Sequence, residues 1–170
     1  MKKVHFIGIG GTGISAIALL LLERGWQVRG TDRSASRYFD AVTAKGAYTL
    51  LGHSPELALA ADVIVRSSAV HDDDPEVIAA RENGIPVIKR NEFLPELTSG
   101  YQTLAVAGSH GKTTCTAMLV TMLRGLGVDP TFILGAQIRP LATNAHAGTS
   151  DLFVIEADEY DNMFLGLNPK

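Results

Sequence analysis

The sequence has only one cysteine, Cys115, among its 170 residues. An internal disulfide is therefore impossible, which suits a reducing compartment. There is no basic excess either, since the formal net charge is -3 at pH 7, and this argues against a nucleic-acid partner. The longest uninterrupted apolar run, residues 16–22, is much shorter than the roughly 20 residues that cross a bilayer. These absences predict a soluble cytoplasmic chain with neither a membrane nor a nucleic acid as partner.

What is present is enough to build a packed core. Hydrophobic residues make up 46% of the chain and charged residues 19%, so disorder is not expected. The length corresponds to one domain or two small ones.

The most informative stretch reads Gly108-Ser109-His110-Gly111-Lys112-Thr113-Thr114. An apolar run of strand type, 103–107, precedes it, and a run with few breakers, 115–126, follows as a predicted helix. A strand, a glycine turn with Gly-Lys-Thr and a helix predict a phosphate-binding loop, in which Lys112 reaches the outer phosphates and the Thr113 hydroxyl reaches Mg²⁺. The usual first glycine of this pattern is replaced by Val106, so the loop is a shortened form. A chance Gly-Lys-Thr at a helix start is the alternative interpretation.

A second glycine pattern lies near the N-terminus. Gly8, Gly10 and Gly13 satisfy G-x-G-x-x-G after a short apolar strand, and a helix over 14–24 follows. A second strand then leads to Asp32, at the distance that the dinucleotide-binding fingerprint requires. The pattern predicts a βαβ unit that binds a diphosphate, and it leaves the nucleotide open.

Polar residues at predicted strand ends are the other candidate ligand contacts. Ser67-Ser68-Ala69-Val70 follows the strand 62–66, where open α/β sheets place ligands; a merely polar strand exit fits the same spacing. Glu156 follows the strand 152–155, where a second Mg²⁺ ligand is expected in phosphate-loop proteins. The acids after it, Asp158, Glu159 and Asp161, either share that role or form a solvated turn.

Two phosphate loops about 100 residues apart, each opening its own βα unit, argue for two domains. We place the boundary at 98/99 and expect an α/β fold: a Rossmann-like parallel-sheet domain, 1–98, and the first part of a phosphate-loop α/β domain, 99–170. Residues 135–150 are predicted as a loop. His5 is predicted as a packed, hydrogen-bonded side chain and His53 as loop surface.

These motifs together resemble the Mur ligase family over the whole chain. The resemblance rests on four segments, which are 5–15, 67–70, 108–114 and the acidic stretch Glu156-Ala157-Asp158-Glu159-Tyr160-Asp161. The family's short ATP loop accounts for the missing early glycine. This chain departs from the family pattern at Ile14, where methionine is more usual, and at Tyr160, where serine is common.

The resemblance implies an ATP-dependent ligase of peptidoglycan synthesis that joins L-alanine to the carboxylate of UDP-N-acetylmuramate through an acyl phosphate. It assigns UDP-sugar binding to Gly10, Gly11, Thr12, Gly13, Asp32, Ser67, Ser68 and Ala69. It assigns ATP to Gly108, Ser109, His110, Gly111, Lys112, Thr113 and Thr114, Mg²⁺ to Thr113 and Glu156, and catalysis to Lys112 and Glu156. Asn144 and His146 form a possible substrate loop.

Full-length family members have three domains. The resemblance therefore implies that this chain stops within the ATP domain, lacks the amino-acid-binding domain and is inactive alone. Three other functions stay open. A sister ligase that attaches a recovered murein tripeptide shares the ATP loop, although it usually has a cysteine near the position of Gly10. The first fingerprint by itself also fits a nicotinamide-dependent oxidoreductase, and both loops fit a non-catalytic nucleotide-binding regulator.

Overall fold

The computed structural model describes residues 2–139, 142–157 and 167. The chain forms two compact units, and the division falls between Arg90 and Asn91. This point lies in a helix, Arg90–Thr98, whose last residue is the predicted domain boundary.

The first unit is a parallel sheet with a helix after most of its strands. Its elements are β1 Lys3–Ile7, α1 Thr12–Glu23, β2 Gln27–Asp32, α2 Arg37–Ala44, β3 Tyr48–Leu51, α3 Pro55–Leu59, β4 Val63–Arg66, α4 Pro75–Glu82 and β5 Val87–Lys89. The strand order is β3-β2-β1-β4-β5, and all neighbours are parallel. The Rossmann-like prediction is confirmed. The order reverses at β1, so the carboxyl ends of β1 and β4 mark the switch point where such sheets bind ligands.

Burial of α1 on nearly every face explains why its sequence lacks amphipathic spacing. Its residues Ile14 to Leu21 are all buried, and removing each large aliphatic side chain from water stabilises the fold by about 1.5–3 kcal/mol. A separate cluster, which includes Ile7, Ile64 and Val77, packs α3 and α4 against β1 and β4.

The short helix α3 was missed by the sequence reading. Ser54 caps it by accepting a hydrogen bond from the Leu57 N–H, and Pro55 stands in its first turn. A capping residue followed by proline is a helix-start signal, but the helix is too short to show apolar periodicity.

The second unit is built on a mixed sheet. Its elements are α5 Arg90–Thr98, whose first residue belongs to the first unit, β6 Gln102–Val106, α6 Lys112–Gly125, β7 Thr131–Ile138, β8 Thr143–His146 and β9 Leu152–Glu156. The strand order is β6-β9-β7-β8; β8 is antiparallel to β7 and the other pairs are parallel. Val120 of α6 packs on Phe132, Leu134 and Val154 of the sheet.

The predicted loop over 135–150 is wrong. β7 continues to Ile138, and β8 pairs with it at Ile133↔Ala145 and at Ile138↔Thr143. The ladder shifts register between these pairs, which breaks the alternation expected of a regular strand. The polar residues of β8 hide it further, because Asn144 is buried although its side chain is polar.

Among the described residues, no helix combines the length and the apolar character needed to cross a bilayer.

Candidate functional site

The glycine loop of the first unit is fixed by side chains from the β2–α2 connection. Asp32 Oδ2 accepts a hydrogen bond from the Gly10 N–H at 2.8 Å, and Ser36 Oγ donates to the Gly10 carbonyl at 2.9 Å. A Cβ at Gly10 would lie 2.9 Å from Asp32 Oδ2 and 3.2 Å from Phe39 Cβ. A side chain at Gly10 would therefore push Asp32 and Ser36 away from the loop that they hold.

The start of α1 has the features of an anion site. Its N-cap, Gly11, offers no side-chain hydrogen bond, and its first turn has no acidic residue. Arg90 lies over Gly13, where any side chain would collide with its guanidinium. Uncapped N–H groups together with a nearby cation favour a bound anion such as phosphate.

The turn after β4 is held by a buried arginine. Arg66 donates to the Val70 carbonyl at 2.6 Å and to Asp72 Oδ1 at 2.8 Å. Arg81 also donates to Asp72 Oδ1 at 2.8 Å. The hydrogen bond from Arg81, followed by the charge of Arg66, lowers the pKa of Asp72. The predicted segment Ser67 to Ala69 thus has a defined shape at the carboxyl edge of the sheet.

A pocket of about 200 Å³ brings these segments together. Four predicted residues line it, namely Gly11, Asp32, Ser67 and Ala69. Ligand pockets usually measure about 300–1,000 Å³, so this one suits part of a larger ligand. Val70, at the end of the predicted strand-exit segment, also lines it, and the prediction missed Thr31, Arg33, Gly52, His53 and Asp74. Gly52 and His53 could have been found, because they follow a parallel strand at its ligand-binding end.

A buried carboxylate, Glu76, ties the pocket to the sheet behind it. Its Oε2 is 2.6 Å from His5 Nε2 and accepts from the Thr31 hydroxyl at 2.9 Å, while Oε1 accepts from the Ser54 N–H at 2.7 Å. Burial raises the pKa of Glu76, but the hydrogen bonds from His5, Ser54 and Thr31 outweigh it, so the pKa lies below its ordinary value. His5 is fully buried, as the sequence predicted.

In the second unit the phosphate loop lies between β6 and α6. Gly111 has φ 76°, a left-handed conformation that glycine adopts without strain, and it is the N-cap of α6. Lys112 Nζ donates to the Gly108 carbonyl at 2.9 Å. The first turn of α6 has neither a side-chain cap nor an acid. The loop therefore presents a cation and a helix N-terminus without a side-chain cap, which suit phosphate.

Glu156 is brought to this loop by the pairing of β6 with β9. Val106 and Glu156 are register partners, and the Thr113 hydroxyl donates to Glu156 Oε2 at 3.0 Å. The Gly135 N–H donates to Glu156 Oε1 at 2.7 Å. A buried carboxylate with neutral partners in the described part of the chain, next to a hydroxyl, offers the oxygen donors that Mg²⁺ prefers. Gly135 was not predicted; it lies just beyond the parallel pairing of β7 with β9, in which Ile133 is the register partner of Ile155.

Other predicted residues are placed as follows. Ser109, His110 and Thr114 are exposed in the loop and at the start of α6. His146 Nε2 is 3.1 Å from Asp129 Oδ1, and the ring packs on Phe132. Asn144 is buried on β8, and its side-chain amide has no hydrogen-bond partner among the residues that the structure describes. Asp158, Glu159 and Asp161 lie outside the described residues.

The sequence pattern of the Mur ligase family, catalytic domain, matches residues 3–102. The chain is 49% identical over 175 residues to a UDP-N-acetylmuramate–L-alanine ligase of Frankia casuarinae and 48% identical over 169 residues to one of Aquifex aeolicus. Each alignment covers 99% of this chain, but only 35% and 37% of those relatives. The chain thus spans about a third of the length of the curated relatives it matches.

Solved structures give the same result. A UDP-N-acetylmuramate–alanine ligase from Thermotoga maritima superposes with a TM-score of 0.91 at 31% identity, covering 99% of this chain and 40% of the other. A UDP-N-acetylmuramate:L-alanyl-gamma-D-glutamyl-meso-diaminopimelate ligase from Neisseria meningitides gives 0.86 at 32% identity, covering 95% and 54%. With the two glycine loops and the Thr113–Glu156 pair in place, these matches show that the chain belongs to the Mur ligase family.

Proposed function

We propose that this chain is the part of an ATP-dependent ligase that binds UDP-N-acetylmuramate and ATP, and that the whole enzyme joins L-alanine to the muramate carboxylate. One observation carries the proposal. The Thr113 hydroxyl and the Glu156 carboxylate meet at 3.0 Å beside the Lys112 loop, which is the arrangement needed to hold a nucleotide with its divalent cation.

In the second unit, ATP lies on the loop from Gly108 to Thr114. Lys112 exchanges its contact with the Gly108 carbonyl for the outer phosphates, and the N–H groups of α6 face the phosphate chain. Thr113 and Glu156 hold Mg²⁺, which when bound neutralises charge on the phosphates.

In the first unit, the diphosphate of the sugar nucleotide lies at Gly11 to Gly13, at the start of α1. Asp32 acts through the loop, because its carboxylate fixes Gly10. The turn from Ser67 to Ala69 closes the other side of the pocket.

The reaction balances without any further reactant. A muramate carboxylate oxygen attacks the γ-phosphorus of ATP, ADP leaves, and an acyl phosphate forms. The amine of L-alanine then attacks the acyl carbon, phosphate leaves with the bonding electron pair, and the amine loses a proton to give the amide. Lys112 stabilises the negative charge that develops during the first step.

A second acceptor also has support. The ligase from Neisseria meningitides is named for a substrate that is a tripeptide. The similarity to it supports, as the alternative, a murein peptide as the amine that is joined to the muramate carboxylate. The residues that discriminate between amines belong to the third domain of the family. Product mass after incubation of the full-length natural protein with each amine separates the two. The oxidoreductase alternative has no support once the family is known.

We further propose that the 170-residue chain alone binds the sugar nucleotide but does not ligate. Holding the reacting groups in position lowers the activation barrier of such reactions by roughly 7–11 kcal/mol. The relatives named as ligases are about three times as long as this chain, so we expect the chain alone to lack part of this positioning. Amide product from this chain with UDP-N-acetylmuramate, ATP, Mg²⁺ and L-alanine would disprove this part.

The test of the main proposal is phosphate release by the full-length natural protein, which should depend on both UDP-N-acetylmuramate and the amine. Thr113→Ala should lower the rate on the order of 10²-fold, because it removes the hydroxyl that is proposed to hold Mg²⁺. Thr121→Ala is the matched control: this threonine is exposed on the same helix and donates only to the Ala117 carbonyl. Equal rates for both variants would reject the role of the Thr113–Glu156 pair.

A further inference from the structure

One carboxylate in the pocket of the first unit, Asp74, has an oxygen that accepts from no backbone N–H group of the described residues and faces only the ring of His53. Asp74 Oδ1 accepts the Glu76 N–H at 3.0 Å and caps α4. Its Oδ2 faces His53, with Nδ1 at 3.4 Å. The side chain of Asp74 is only 4% exposed and that of His53 is 35% exposed. Both line the pocket together with Gly8 and Gly11 of the glycine loop.

The acid that the dinucleotide fingerprint assigns to the ribose here holds backbone N–H groups with both of its oxygens. In that fingerprint an acid after the second strand binds a ribose hydroxyl, and here that acid is Asp32. Its Oδ2 accepts from the Gly10 N–H at 2.8 Å and its Oδ1 from the Ser34 N–H at 3.2 Å. The loop therefore keeps its shape at the expense of the usual ribose contact.

The imidazole ring of His53 is oriented by two carboxylates, those of Asp74 and Glu76. Besides Asp74, its Nδ1 lies 3.8 Å from Glu76 Oε1, and Glu76 is anchored by His5 and Thr31. Two carboxylates on one side of the ring favour the proton on Nδ1, so Nε2 is the nitrogen left for a ligand.

We propose that Asp74 and His53 form the pair that binds the ribose hydroxyls of the nucleoside diphosphate. This inference rests on the proposed function of the first unit. A carboxylate oxygen accepts a hydrogen bond from one hydroxyl, and the adjacent imidazole binds its neighbour. The pocket volume suits one part of the ligand, and the ribose is the part joined to the diphosphate.

The same residues also resemble a metal site, since one ligand atom each of His53, Asp74 and Glu76 lies within 4.8 Å of the others. Hydroxyl binding is favoured because both oxygens of Glu76 already have partners in His5, Thr31 and Ser54. Zinc binding is therefore an outcome that the test distinguishes.

The experiment is a calorimetric titration of this chain with UDP, 2′-deoxy-UDP and 3′-deoxy-UDP. Removal of the bound hydroxyl should weaken binding to the unaltered chain by at least about tenfold, as for hydrogen bonds to charged groups. In Asp74→Ser the same removal should change the affinity by less than about twofold, because the serine keeps the helix cap but lacks Oδ2. His53→Ala tests the pair if Asp74→Ser fails to fold, and its dependence on one hydroxyl should fall similarly. Asp73→Ser, at an exposed neighbouring position, should retain the tenfold dependence.

Equal hydroxyl dependence in the unaltered chain and in both pocket variants would overturn the inference while leaving UDP binding intact. Absence of UDP binding by the unaltered chain would reject the proposed function of this unit and the inference with it. Zinc alone, titrated in the same way, should not bind detectably. Zinc binding that His53→Ala abolishes would overturn the inference in favour of a metal site.

Discussion

The two units use the same strand–glycine loop–helix pattern for different tasks. In the first, the loop is clamped by an acid, Asp32, and the pocket beside it is fixed by the buried Glu76 network. In the second, the loop carries its own cation, Lys112, and its acid, Glu156, is held by a hydroxyl and an N–H group. If the units bind as proposed, the first relies more on a preformed shape and the second more on charge.

Removal of the buried carboxylate should therefore damage the first unit most. Glu76→Ala leaves His5, Thr31 and the Ser54 N–H without their partner, and breaking a buried pair costs about 3–5 kcal/mol. Urea unfolding followed by fluorescence of Trp26, the only tryptophan, measures the loss. Glu82→Ala, exposed on the same helix, should lie within about 0.5 kcal/mol of the unaltered chain.

The Glu76 contribution should also depend on pH. Its pKa in the folded state is lowered, so the unfolded chain takes up the proton more readily. The stabilisation is present above the ordinary glutamate value of about 4.3 and is lost as pH falls through the folded-state pKa. The difference between Glu76→Ala and the unaltered chain should shrink in that acidic range. A constant difference down to the lowest pH at which the chain is folded would contradict the ionised pair.

Removal of the loop cation should stop the chemistry and leave the fold intact. Lys112→Ala in the full-length natural protein should lower phosphate release by on the order of 10²-fold or more, because the charge that stabilises the transition state is lost. UDP binding by the first unit should not change, which calorimetry on the same variant checks. Near-normal turnover would remove Lys112 from the mechanism, and a parallel loss of UDP binding would break the distinction between the units.

Local patterns were sufficient to predict both glycine loops, because the conformation of a tight turn is set by adjacent residues. The pocket residues His53 and Asp74 were missed for the opposite reason. Parallel pairing brings them together from segments about 20 residues apart, and the charges are paired only in the fold. Likewise, Gly135 reaches Glu156 through the parallel pairing of β7 with β9, which no spacing in the sequence indicates. Strands were predicted correctly where the sequence is apolar, as in β4 and β9, and were missed at the polar strand β8.

If the first unit depends on close packing around its glycine loop, one added methyl group at a close contact should destabilise it. A Cβ at Gly30 would lie 2.6 Å from Ile9 Cδ1 and 2.8 Å from the Phe6 carbonyl. Gly30→Ala should therefore lower the free energy of unfolding by about 1–3 kcal/mol, as overpacking typically does. Gly125→Ala in α6 is the control, because a Cβ there meets nothing within 4 Å. Equal stability of the two variants, measured by circular dichroism in urea, would show that the strand β2 can move away from the glycine loop.

The smallest effect is expected at the surface ion pairs that flank the Ser67–Val70 turn. Asp72→Asn removes the charge that Arg66 and Arg81 share, yet Arg66 keeps its bond to the Val70 carbonyl. UDP affinity should therefore stay within about twofold of the unaltered chain, because exposed ion pairs contribute little.

The urea midpoint of Asp72→Asn should fall slightly at neutral pH. Since the pKa of folded Asp72 is lowered, this difference should vanish as pH drops through it, below the ordinary value of about 3.9. About 1 M salt should also reduce the difference at neutral pH, because the screening length is then only a few ångströms. A large loss of UDP binding in Asp72→Asn would mean that the turn is held by the ion pairs and not by Arg66 alone.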